Sequence, residues 1–185
     1  MAWIKVVDED AAQGDLKAEY EDVQQKRGRV SNIMKVHSLD PKAMRLHLDL
    51  YLHLMFGRSN LTGGQREMIA VRVSQTNGCE YCVAHHSDAL LTHVHDKGFA
   101  ESIRMDIADA KITVKERAML RYVTKLTKSP GEVSAQDIAE LRVAGFTDEE
   151  ILRVNLITSY FNFVNRIASG LGVSLEAAEE RTYKY

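Results

Sequence analysis

The sequence predicts an all-α fold, a single multi-helical domain over residues 1–185. Three observations predict it. Only two prolines, Pro41 and Pro130, interrupt the chain. Apolar residues recur at helical spacing, whereas the alternation of a strand is rare. Capping signals precede one segment after another. No linker, low-complexity tract or second domain stands out.

Taken in order, residues 1–14 read as extended or irregular. Asp15 to about Lys26 reads as a short helix, with Leu16, Tyr20 and Val23 on one side and Gly28 as its stop. A link, RVSNIMKVHSLD, follows. Asp40 caps a helix that opens on Pro41, where a missing N–H costs nothing, and ends near Gly57. That helix is apolar over much of its circumference and reads as central. Thr62 caps a helix over Gly63–Thr76, and Asn77-Gly78 breaks it. The next helix starts at or near Cys79 and runs to about His95. A short helix over Ala100–Ala108 follows. Thr113 and Glu116 form a capping box for Val114–Thr127, which Pro130-Gly131 stops. A short helix covers Ser134–Val143. Thr147 and Glu150 form a second box, with Phe146 and Ile151 placed as a hydrophobic staple before a long apolar helix. Residues 174–182 read as a last helix. A weak echo relates 61–78 to 112–129, and duplication explains it no better than shared helix chemistry.

The composition limits the function. Lys and Arg number 24 against 26 Asp and Glu, a formal charge of −2, so nothing draws the chain generally toward nucleic acid or an anionic membrane. No apolar run approaches the roughly 20 residues that span a bilayer. The start, MAWIKVVDEDAAQGD, lacks the apolar run of a signal peptide, so the expected location is cytoplasmic. In a reducing compartment two cysteines serve redox or metal chemistry more readily than a structural disulfide.

Both cysteines lie in EMIAVRVSQTNGCEYCVAHH, residues 67–86. On a helix, Cys79, Cys82, Val83, His86 and Leu90 fall within an arc of about 100°. The thiols and His86 thus share a face with residues that should pack inward. His85 falls off the centre of that face and reads as a rim residue. Glu67 shares a face with Ala70, Val71 and Ser74, while Arg66 and Arg72 point away. A carboxylate on an apolar face must be paired. If the two helices fold back at Asn77-Gly78, Glu67 lies within about one turn of His86.

Such a cluster has a chemical use. The thiolate is the reactive form of cysteine, and a helix N-terminus or an imidazolium favours it. A Glu–His pair can orient the ring and accept the thiol proton. The C-x-x-C spacing lets one thiol resolve a sulfenic acid formed on the other. Helix position favours Cys79 as the attacking thiol, and nearness to the base favours Cys82.

Glu67-x11-Cys79-x2-Cys82-x3-His86 resembles the motif of the AhpD-like alkylhydroperoxidases, in the carboxymuconolactone decarboxylase superfamily. RGRVSNIMKVHSL, REMIAVRVSQTNGCEYCVAHH and NFVNRIASGLGV resemble its peroxidase-related branch. The resemblance implies a homo-oligomeric, all-helical peroxidase, often trimeric or hexameric, that needs no cofactor. It implies that Cys82 attacks the hydroperoxide, that Cys79 resolves it as a redox-active disulfide, and that Glu67 and His86 form the proton relay. An external dithiol reductant would regenerate the pair. Some members of the family carry a histidine where this chain has Tyr81, whose pKa of ~10 makes it a poor base.

Other readings attach to the same residues. A lactone decarboxylase or other proton-transfer enzyme would have no use for C-x-x-C. A non-enzymatic oligomer could use the thiols as a redox sensor or hold zinc through Cys79, Cys82, His86 and His93, although His93 lies two turns beyond His86. His37, His47, His53 and His95 lack a partner pattern and read as structural. The aromatic residues at 160–163 read as core or subunit interface.

Overall fold

The computed structural model describes residues 2–105 and 111–177. Among them are nine α-helices and no strand: α1 Gly14–Arg27, α2 Asn32–Lys35, α3 Pro41–Phe56, α4 Gly63–Thr76, α5 Glu80–Val94, α6 Lys97–Met105, α7 Val114–Lys128, α8 Ala135–Val143 and α9 Asp148–Gly170. The chain divides into two compact units, residues 1–53 with 166–185, and residues 54–165.

The first unit has a core of Leu16, Tyr20, Val23, Val30, Met34, Met44 and Leu48. α1 ends at Gly28, whose φ of 85° is the left-handed value that closes a helix without a Cβ penalty. Asp40 caps α3 by accepting from the Ala43 N–H at 3.0 Å. Two expectations change here. The link after Gly28 contains the short helix α2, which buries Met34. Residues 174–177 are irregular rather than helical. Glu176 accepts from the Asn32 N–H at 2.6 Å, and the Ser174 carbonyl accepts from the Asn32 side chain at 2.9 Å. These bonds hold the segment against the start of α2 and replace the local bonds of a helix. The remainder of the expected last helix, and the end of the expected Ala100–Ala108 helix, lie outside the described residues.

The second unit is organised around α4. Thr62 caps it through a reciprocal box with Gln65. Met68, Ile69, Ala70, Val71, Val73 and Ser74 are all buried. α5, α6 and α7 pack against α4, so a single solvent face does not describe it. The two segments of the weak sequence echo thus fold as two capped helices in contact, with Arg72 Nε donating to Thr124 Oγ1 at 2.8 Å. Thr113 and Glu116 cap α7 as their spacing predicts. Thr147 and Glu150 cap α9, with the Thr147 N–H donating to Glu150 Oε2 at 2.8 Å. The staple residues Phe146 and Ile151 are both buried.

Candidate active site

The site is built on the α4–α5 hairpin. Asn77 stays right-handed and Gly78 takes the left-handed turn, with φ of 67°. The Cys79 N–H donates to the Ser74 carbonyl at 2.9 Å, and the Cys79 carbonyl accepts from Val83 at 3.0 Å. Cys79 is therefore the N-cap of α5, but its side chain makes no capping bond. Its sulfur instead meets Cys82, one turn on. Neither thiol is in a disulfide, and their exposures are 2% and 3%.

Cys82 Sγ lies within hydrogen-bond reach of three side chains: Cys79, Asn165 and Ser74. The Cys79 sulfur beside it pushes the Cys82 thiol well above its ordinary range, and burial adds to this. Asn165 and Ser74 act in the opposite sense, because donors to sulfur favour the anion.

Glu67 and His86 meet as the hairpin register predicts. His86 Nδ1 lies 2.7 Å from Glu67 Oε2. The Glu67 side chain is 3% exposed and that of His86 12%. A carboxylate oxygen accepts, so Nδ1–H is the donor in this pair, and in the neutral form of the ring Nε2 is the acceptor. Phe161 of α9 packs edge-on against the imidazole, with ring centroids 4.5 Å apart at 81°. His86 follows Cys82 by four residues, one turn along α5. A buried dithiol, an oriented imidazole and a carboxylate behind it are thus gathered in one hairpin.

Two details differ from the sequence reading. His85 is buried rather than at a rim, its ring centroid 4.5 Å from that of Tyr81, which is buried too. Arg66 does not point away to solvent. It is buried, and its guanidinium donates to the carbonyls of Met55, Gly57 and Leu61. His93 packs against Gly63 at the start of α4, whereas Cys79 bonds to the far end of that helix. Gly63 and Ser74 lie 11 residues apart on α4, roughly 16 Å, so Cys79, Cys82, His86 and His93 do not converge on one ion. Among the described residues no three His, Cys, Asp or Glu side chains gather as a metal site.

The sequence reading gives Asn77 only as a helix breaker and assigns no site role to it, Asn162 or Asn165. Asn165 Nδ2 donates to Ser74 Oγ at 3.1 Å, and Asn77 Nδ2 donates to the Oδ1 atoms of Asn165 and Asn162 at 3.0 and 3.1 Å. A polar residue on the buried stripe of a long helix was the one available signal for Asn165.

Comparison with known proteins places the chain in a family. Residues 41–122 match the carboxymuconolactone decarboxylase family. An uncharacterized peroxidase-related protein from Ralstonia eutropha JMP134, described as an alkylhydroperoxidase AhpD core, is 31% identical. The match covers 95% of this chain and 92% of that one, with a TM-score of 0.85. An uncharacterized peroxidase-related protein from Silicibacter sp. TM1040 is 32% identical over 89% of this chain and 86% of its own, with a TM-score of 0.82. The uncharacterized Bacillus subtilis protein YdfG is 24% identical over 77% of this chain and 96% of its own. The chain belongs to the carboxymuconolactone decarboxylase family and is one of its AhpD-like members. No helix among the described residues is long and apolar enough to cross a membrane.

Proposed function

We propose that the protein is a thiol-dependent hydroperoxide reductase that uses Cys82, Cys79, His86 and Glu67. The observation that carries this reading is the 2.7 Å Glu67–His86 pair in the same hairpin as two touching, unbridged thiols. Cys82 gives its proton to the Glu67–His86 relay, directly or through water. The Cys82 thiolate attacks one oxygen of ROOH, so an S–O bond forms and the O–O bond breaks. The alkoxide leaves as ROH with the relay's proton, and Cys82 is left as a sulfenic acid. The Cys79 sulfur attacks Cys82 Sγ and expels the sulfenic oxygen as water, which closes the disulfide. An external dithiol reopens it by two exchange steps and is itself oxidised to a disulfide.

Cys82 is the attacking thiol in this reading because the base follows it by one turn and because Ser74 and Asn165 address its sulfur. The test is replacement: Cys82→Ser abolishes peroxide consumption, and undiminished turnover in that variant overturns the reading.

We further propose that the chain acts as a homo-oligomer. Leu152, Leu156 and Phe163 lie at spacings of four and seven along one face of α9 and are exposed, a stripe suited to a second copy.

A further inference from the structure

We infer that Ser74 and Asn165 form an anion-stabilising seat for the Cys82 sulfur, aimed by a relay of amide groups that runs back through Asn77 and Asn162. The inference rests on the assignment of Cys82 as the reacting thiol.

The direction of the relay follows from its far end. Asn162 Nδ2 lies 3.0 Å from the Thr158 backbone carbonyl, which can only accept. Its second hydrogen goes to Thr127 Oγ1 at 3.2 Å, whose own hydroxyl donates to the Val123 carbonyl at 2.8 Å. The Asn162 amide therefore cannot be reversed, and its Oδ1 faces Asn77. Asn77 must present Nδ2, which donates both hydrogens, one to Asn162 Oδ1 and one to Asn165 Oδ1. The Asn165 carbonyl oxygen is thereby turned toward Asn77, and its Nδ2 faces Ser74 and Cys82. Ser74 Oγ accepts from Asn165 Nδ2 at 3.1 Å, which leaves the hydroxyl proton to point at the sulfur. Each bond fixes the next, and the last two donors converge on Cys82 Sγ.

Burial gives the arrangement its purpose. Ser74 is 0% exposed and Asn165 1%, so water does not supply these bonds. A neutral thiol is a weak acceptor and returns little for two oriented donors, whereas a thiolate is a strong one. Bonds that reinforce one another along a chain add to the effect at its end. The seat is matched to sulfur that carries negative charge, before the attack and again when Cys82 is expelled from the disulfide by the reductant. Ser74 and Asn165 touch the reacting atom; Asn77 positions Asn165.

The experiment titrates the Cys82 thiol itself and needs no turnover. Cys79→Ser removes the titratable group that bonds to Cys82, and the Glu67–His86 pair of α4 and α5 is left intact throughout. In that background the rate of iodoacetamide alkylation and the ultraviolet thiolate absorbance are followed against pH. Ser74→Ala and Asn165→Leu are each expected to move the titration upward, with roughly tenfold less thiolate at a fixed pH below the midpoint. Asn77→Ala should move it in the same direction by less, because the Asn165 amide stays but is no longer held. Unchanged titration curves in Ser74→Ala and Asn165→Leu overturn the inference. If Asn165→Leu does not fold, Ser74→Ala, which removes one oxygen, decides alone. Loss of peroxidase activity is not the readout, so a failure of the peroxidase assignment leaves this result standing, and the reverse holds as well.

Discussion

Glu67 on α4 and His86 on α5 are 19 residues apart and share a part-buried 2.7 Å contact. The two side chains bring the hairpin's charge chemistry to a point one turn from Cys82. The carboxylate fixes the tautomer of the ring. Glu67→Gln keeps the shape but can donate as well as accept, so the fixed tautomer is lost. Peroxide turnover should fall by about 10²–10⁴-fold, the usual contribution of a positioned base. Initial rates with the thiols fully reduced check this; a loss under threefold would remove the pair from the mechanism.

The raised Cys82 thiol predicts a pH profile. Since the thiolate is the nucleophile, a raised pKa means that alkylation of Cys82 keeps increasing above the ordinary thiol range near ~8.5. Cys79 is the largest cause of the shift, so Cys79→Ser should move the profile toward lower pH. Peptide-resolved alkylation rates across the alkaline range give the answer. A profile that is flat above neutrality would mean a thiolate already present at rest.

His47 predicts the acid limb of stability. His37 Nδ1 donates to the Ile33 carbonyl at 2.9 Å, so its Nε2 accepts from His47 Nδ1 at 3.2 Å. Burial, with the neighbouring His37, pulls the His47 pKa down to about 3. The unfolded chain takes up this proton near pH ~6.5 and the folded chain only near the lower value. Stability contributed by the neutral ring is therefore complete above the upper value and is lost as pH falls toward the lower one, by at most about 1.4 kcal/mol per pH unit. Denaturant unfolding at several pH values should show a shallower acid decline in His47→Gln than in the wild type.

Much of the site could be read from local pattern. The helical angles placed Cys79, Cys82 and His86 together, and counting back from Asn77-Gly78 placed Glu67 beside His86, because a tight turn leaves little freedom in the register of a hairpin. The angles failed for Arg66 and His85. They assume one inward face, but α4 is covered by α5, α6 and α7, and α5 by α4 and α6. Arg66 meets the carbonyls of the Met55–Leu61 segment, which no helical period encodes. Asn165 lies 91 residues from Ser74, and only tertiary structure joins them. The irregular 174–177 segment shows long-range bonds from Asn32 overriding a helix-compatible composition.

The capping box of α4 predicts a local cost. Thr62→Ala removes the acceptor for the Gln65 N–H at 3.1 Å and should destabilise the protein by about 1 kcal/mol. Thermal unfolding checks this. The site begins five residues into α4, so turnover at low temperature should be nearly unchanged.

An exposed stripe predicts the assembly. Leu152→Glu with Leu156→Glu places two charges on the proposed contact face of α9. Light scattering should report a lower mass than for the wild type, with helical content retained. An unchanged mass would move the contact elsewhere.

The central claim is that Cys82 attacks and Cys79 resolves, and mass spectrometry of the peptide that carries both tests it most directly. The reduced protein is treated with less than one equivalent of hydroperoxide and then blocked at its remaining thiols. The account predicts that the wild-type peptide loses two hydrogens in proportion to the peroxide added, and that Cys79→Ser carries a trappable sulfenic acid on Cys82. Unoxidised thiols in the wild type, or a sulfenic acid on Cys79 in the Cys82→Ser variant together with continued turnover, would contradict it.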